Sequence, residues 1–576
     1  MIRRVVPWLR SLVARFRPGA RPPAAPAHEG PQFRSDQLEP RILMSATAGD
    51  DTLTGTAGND AIDGLGGDDV IDGMAGNDTL TGGSGNDTLV GGTGIDAASY
   101  AGAASAVNVD LGAGTATGGD GNDTLSQIEN VTGSAFNDTL MGDAGDNALD
   151  GGGGDDLIDG GAGNDTLTGG TGNDTLIGGT GTDTASYVGT GSGVMVHLGM
   201  GIATGGDGSD TLSGIENITG SGFNDTLTGD AGNNILTGGG GDDTITGATG
   251  NDTISGGAGT DTASYANATS AVVVSLASNT ATGGDGSDTL SGIENITGSG
   301  FNDTLTGDAN ANVLDGGGGN DTLTGGAGND TITGGAGTDT ASYANATSAA
   351  TVSLVTNTAT GGDGSDTLSG IENLTGSGHN DVLTGDANAN VLDGGGGNDT
   401  LTGGEGNDTI TGGAGTDTAS YANATSAVTV SLATNTATGG DGSDTLSGIE
   451  NVTGSGFNDV LTGDGNANVL DGGGGNDTIM GGAGNDTITG GAGTDTASYA
   501  NATSAVVVSL ASNTATGGDG SDTLSGIENI TGSGFNDTLT GDANANVLDG
   551  GGGNDTLTGG AGNDTITGGA GTDTAS

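Results

Sequence analysis

The chain has 576 residues, of which 129 are glycine and only 2% are aromatic, and its formal charge is −65. That leaves too few large apolar side chains for ordinary globular cores, so the chain is either disordered or a repeat with a thin core. All eight basic residues are Arg at or before Arg41, and only three of the 73 acidic residues precede it. The remainder repels itself and repels nucleic acid, and its natural counter-charge is a divalent cation. Cysteine is absent, which excludes disulfides and thiol chemistry, and no run of 18 apolar residues is present to cross a membrane as a helix.

Residues 1–45 form a separate region. Ile2, Val5, Val6, Leu9, Leu12, Val13 and Phe16 fall at helical spacing with Arg between them. This pattern predicts a short basic amphipathic helix for targeting or for a membrane surface, or else a disordered basic tail. Residues 18–35 are rich in Pro and Ala and read as a linker. The stretch Leu38-Glu39-Pro40-Arg41-Ile42-Leu43-Met44-Ser45 resembles the LEPR-XLL motif found near the N-termini of large bacterial surface proteins, with Met44 in place of the last Leu. That resemblance implies sorting to the surface or export.

Residues 46–99 are six nonapeptides of the pattern G-G-x-G-x-D-x-U-x, where U is a large aliphatic residue. GGAGNDTIT at 325–333 is a clean later copy. Its glycines allow a tight turn, Asp330 places a carboxylate in that turn, and Thr331, Ile332 and Thr333 read as a short strand with one inward side chain. Two nonapeptides close one coil. Stacked coils predict an all-β fold, a parallel β-roll or β-solenoid with an Ile/Leu ladder between two parallel sheets. About 29 such coils would make a rod on the order of 140 Å.

From residue 100 to 576 a larger unit takes over. Its marker, Ile-Glu-Asn, places Glu129, Glu216, Glu294, Glu372, Glu450 and Glu528 along the chain. The first interval makes an 87-residue unit and the later ones make 78-residue units, a difference of one nonapeptide. Each unit opens with an 18-residue segment lacking a turn Asp, such as 343–360, which predicts a metal-free coil or a short hairpin. A nonapeptide, a shortened half-coil of six residues and five further nonapeptides complete the 78-residue unit. The second of those five carries Asn in the Asp position (Asn147, Asn234, Asn312, Asn390, Asn468 and Asn546), which predicts weak half-sites. Tyr100, Tyr187, Tyr265, Tyr343, Tyr421 and Tyr499 lead the inserts. Phe136, Phe223, Phe301, Phe457 and Phe535 replace a turn glycine. Both sets are expected to plug gaps where the coil size changes. The Glu residues suit either extra ligation or bonds to turn amides. The chain stops at Ser576, where earlier units continue into a Tyr-led insert, as expected of a truncated solenoid.

The chemistry lies in the turn carboxylates, because calcium takes six to eight oxygen ligands from carboxylates and backbone carbonyls. Turn residues one full coil apart stack on one edge. The candidate ligands are Asp51, Asp60, Asp69, Asp78, Asp87 and Asp96 in the first run and Asp138, Asp156, Asp165, Asp174 and Asp183 in the second. The later units supply Asp225, Asp243, Asp261, Asp303, Asp321, Asp339, Asp381, Asp399 and Asp417, then Asp459, Asp477, Asp495, Asp537, Asp555 and Asp573. A single Asp-Gly turn needs only a solvated Asp. Thirty-seven Asp in one register would repel one another unless a cation lay between them. His28, His197 and His379 stand alone, and no HExxH, nucleophile elbow or phosphate loop is present, so no catalytic site is expected.

The repeat resembles the RTX, or hemolysin-type, calcium-binding repeat family over residues 46–576. The resemblance implies a parallel β-roll, Ca2+ as the bound ion, and export followed by folding in extracellular calcium. A secreted or surface-attached, non-enzymatic spacer or adhesive stalk follows, with calcium ions as partners and a cell-surface or matrix partner of unknown identity. The rival reading is the repeat portion of a larger secreted hydrolase or toxin.

Overall fold

The computed structural model describes residues 46–576. The N-terminal helix, linker and motif read above lie outside the described residues. Each nonapeptide forms a glycine-rich turn followed by a three-residue strand with its middle side chain inward, as in Thr331–Thr333, where Ile332 is buried between exposed or half-buried Thr. Strands one coil apart pair in parallel, for example Val313↔Thr331, Leu314↔Ile332 and Asp315↔Thr333. Two long sheets result, of 33 and 28 strands, and their facing Leu, Ile and Val side chains make one continuous core. The predicted all-β parallel roll is the fold, with no α-helix among the described residues.

The inserts settle the choice between a coil and a hairpin. In residues 343–369 the strands Ala350–Ser353, Thr358–Gly361 and Gly364–Ser369 form an antiparallel meander, with Thr351↔Thr360 and Thr360↔Ser365 opposed. Its tight turn uses Asn357 at φ 56°, a left-handed position that Asn tolerates better than most residues. The outer strands rejoin the stack in parallel, through Thr331↔Thr367 on one side and Thr351↔Val382 on the other. The segment 343–360 is therefore a hairpin laid into the sheet, and the following nonapeptide serves as its third strand. The opposite sheet has no matching strands. There the shortened half-coil Asn373–Thr375 pairs directly with Thr340–Ser342, the last strand before the insert.

Each insert thus widens one sheet by two strands. The first, second, fourth and sixth inserts lie in the 33-stranded sheet. The third and fifth lie in the 28-stranded sheet. A 78-residue unit contains an odd number of half-coils, so consecutive inserts change sheet. The extra nonapeptide of the 87-residue unit makes that number even, so the first two share one.

Candidate functional site

The turn carboxylates form a ladder along each edge of the roll. The backbone N–H of each turn Asp donates to Oδ1 of the Asp one coil later, as from Asp69 to Asp87 at 2.8 Å and from Asp399 to Asp417 at 2.8 Å. The ladder crosses the inserts. Asp330 donates to Asp366 at 3.0 Å across the meander, and Asp339 donates to Glu372 Oε2 at 2.8 Å. The five other marker Glu residues accept the same bond from Asp96, Asp183, Asp261, Asp417 and Asp495. Of the two roles open to these Glu residues, each one bonds a turn amide.

The second carboxylate oxygen divides the turns into distinct kinds. In twenty-one turns Asp Oδ2 is buried and no protein donor reaches it. These include Asp69, Asp78, Asp87, Asp96, Asp156, Asp165, Asp174, Asp183, Asp243, Asp261, Asp321, Asp339, Asp399, Asp417, Asp477, Asp495 and Asp555. They also include Asp252, Asp330, Asp408 and Asp486. Pairing within uninterrupted runs passes over these four, because their partner one coil earlier is Asn. The signal that finds them is the insert nonapeptide, whose Asp continues the ladder on their other side.

Elsewhere the protein supplies the donor. Asp138, Asp225, Asp303, Asp381, Asp459 and Asp537 follow a Ser four residues earlier, whose N–H and hydroxyl both bond the carboxylate. Thr47 and Thr56 do the same for Asp51 and Asp60. Five of the six tyrosines are buried and donate their hydroxyl to the insert Asp, as from Tyr343 to Asp366 Oδ2 at 3.0 Å. Tyr187 is likewise buried with its hydroxyl beside Asp210. In the Asn turns the amide nitrogen takes the role of a counter-ion: Asn390 Nδ2 donates to the Glu372 carbonyl at 2.7 Å, while its Oδ1 accepts from the Asp386 N–H at 2.8 Å. Asp573, in the last turn, accepts the Asp555 N–H through Oδ1. The Phe residues correct one expectation. Phe136, Phe223, Phe301, Phe457 and Phe535 stand on the turn surface, each more than two-fifths exposed, and plug no gap. In these turns position four faces outward, so a bulky side chain there finds solvent.

Burial dominates the electrostatics. It pushes the carboxyl of Asp156 up to about 7, and those of Asp165, Asp330 and Asp399 up to about 6. One backbone N–H bond lowers each of them, and neighbouring carboxylates raise them again. No Lys or Arg occurs after Arg41 to neutralise them.

A divalent cation fits these turns. Beside fourteen of the open Oδ2 atoms lies the carbonyl oxygen of a glycine from the next coil, and beside Asp96 that of Gln127; a methyl on the first glycine of the turn would strike both. A Cβ on Gly73 would fall 2.5 Å from Asp78 Oδ2 and 2.6 Å from the Gly91 oxygen. No three His, Cys, Asp or Glu side chains converge among the described residues, so backbone carbonyls must supply most of any ligand set. Hard oxygen donors of this kind are what calcium takes, at about 2.3–2.6 Å.

The chain matches the family described as RTX calcium-binding nonapeptide repeat (4 copies), in overlapping segments over 45–97, 132–185, 211–264, 275–341, 356–419, 432–498 and 509–575. It belongs to that family, a parallel β-roll whose repeats imply calcium binding. The gaps between the matched segments fall on the Tyr-led inserts. No curated protein matches the chain. Among the described residues no helix is long and apolar enough to cross a membrane.

Proposed function

We propose that the chain is an exported calcium-binding roll that becomes rigid on loading and serves as a non-enzymatic spacer or adhesive stalk at a cell surface or in a matrix. The observation that carries this reading is the set of twenty-one buried carboxylate oxygens without a donor, fourteen of them beside a glycine carbonyl, in a region without Lys or Arg. Removing a carboxylate from water without a partner is costly. Calcium between coils offsets that cost, so binding and folding become one equilibrium. The open Asp residues supply the charge, and the glycine turns supply the carbonyls. Length and repetition support the stalk reading. The resemblance of residues 38–45 to a surface-sorting motif supports export.

The test is far-UV circular dichroism of the chain during a calcium titration, with magnesium as control. A cooperative gain of strand signal, with a midpoint on the order of 10⁻⁴–10⁻³ M calcium and none with magnesium, is the expected result. An unchanged spectrum at several times that concentration overturns the reading.

A further inference from the structure

We infer that the backbone hand of the second residue in each nonapeptide selects which turns take a cation, and that the insert and the two turns that follow it are stapled by the protein alone. The inference rests on the calcium reading above.

Left-handed second residues and open carboxylates coincide except at Asp564 and Asp573, in the last two turns. Every one of the twenty-one open Oδ2 atoms follows, four residues later, a second-position residue with positive φ. Most of these are glycine, such as Gly326 at 91° and Gly335 at 105°. Three are not: Leu65 at 69°, Met74 at 77° and Ala248 at 70° hold a conformation that L-residues disfavour, and Asp69, Asp78 and Asp252 behind them are open. The turns whose second residue is Ser, Thr or Asp have no positive φ there, and in each the next ladder side chain is capped.

The cause is where the second amide points. In the left-handed form it turns away from the carboxylate: Leu65 N–H donates to Asp63 Oδ1 at 2.9 Å, and Gly395 N–H donates to Asp393 Oδ1 at 3.1 Å. Oδ2 is then left open, in most of these turns beside a glycine carbonyl of the next coil. Where the second residue has no positive φ the same N–H points inward, as from Ser377 to Asp381 Oδ2. One N–H inside the turn already neutralises the oxygen that a cation would bind, and it adds a positive hydrogen where the cation would sit. The Asn turns go further, because Asn390 Nδ2 also occupies the Glu372 carbonyl. Tyr343, Ser377 and Asn390 therefore join the strands around one insert without metal, and their counterparts repeat in the other units.

Counting left-handed second positions, including Gly560 and Gly569 before the half-buried Asp564 and Asp573, sets a ceiling of 23 cations. The test is native mass spectrometry of the calcium-saturated full chain, beside two variants that open a capped turn. Ser377→Gly removes the hydroxyl and permits the left-handed form. Asp386→Gly with Asn390→Asp rebuilds an Asn turn as an open one. Each variant is expected to carry one calcium more than the wild type, which itself carries no more than 23. A wild type that exceeds that number, or variants that both load the same number as wild type, overturns the inference while leaving calcium binding intact. A wild type that takes up no calcium overturns the calcium reading and this inference together.

Discussion

Single hydrogen bonds decide what each turn can do. Asp366 is buried, and burial raises its carboxyl above the usual range while the Tyr343 hydroxyl pulls it back. Tyr343→Phe removes that donor and leaves a buried oxygen unpaired, a loss of about 1–3 kcal/mol. The loss should be local, because each coil of a solenoid contacts only its neighbours. Amide hydrogen exchange is expected to quicken in residues 350–369 of the loaded protein and to stay unchanged two units away; unaltered exchange in 350–369 would count against the role given to the hydroxyl. Asp399→Asn probes the opposite case. Its turn begins Gly394-Gly395 with Gly395 at φ 86°, so the backbone N–H faces away and cannot cap the new amide. The variant is expected to need more calcium for the same circular dichroism transition, without losing its strand content once loaded. An unshifted midpoint would show that Asp399 is not a ligand.

The half-coil is the element, and it carries one aliphatic side chain and one carboxylate. Leu401 is fully buried in Thr400–Thr402, so Leu401→Ala should cost about 2–5 kcal/mol at that coil, seen as earlier urea-induced exposure of its neighbours. The carboxylates add a pH dependence of definite sign. Their folded values of about 6 to 7, at Asp156, Asp165, Asp330 and Asp399, lie above the unfolded value of 3.8. The folded, metal-free coil therefore binds more protons than the unfolded chain, and its stability falls as pH rises from about 4 through 6–7. In chelator, strand signal is expected to grow as pH drops from 7.5 towards 4.5. With calcium present, affinity should weaken over the same range as protons compete. A metal-free spectrum that does not change between those pH values would contradict the burial of these groups. Much of this element is readable in advance. The period of nine, the inward Leu or Ile and the turn Asp are strictly local, and they define the coil and most of the ladder. What cannot be read is conformational or long-range. The residues Leu65, Met74 and Ala248 do not announce a left-handed backbone, because their side chains argue against it. Asp330 finds its ladder partner in Asp366, beyond the insert, only because the meander folds out of the line of the coil. The tyrosines are buried, as expected of plugs, but their hydroxyl partners again lie across the insert. The exposed Phe residues depart from expectation, since aromatic character alone does not say which way a turn position faces.

At the scale of the whole molecule the inserts act as wedges. Each adds two strands to one sheet, about 9–10 Å of extra length on that side, with nothing opposite. Sheets packed about 10 Å apart cannot absorb that difference without bending towards the narrower side. From the second insert onward the wedges alternate between sheets, so successive bends oppose one another. The first two share the 33-stranded sheet, so their bends add. The single extra nonapeptide of the 87-residue unit is the cause, and it can be removed. Deleting residues 160–168 takes out one half-coil, moves the second insert to the other sheet and makes every consecutive pair of inserts alternate. Deleting residues 160–177 takes out a whole coil and leaves both inserts where they were. Negative-stain electron microscopy of calcium-loaded particles is expected to show a bend near one end in the wild type, kept in the 18-residue deletion and straightened in the nine-residue deletion. If all three particles share one curvature, the extra strands are absorbed within the sheet, and the parity of half-coils does not set the shape of the rod.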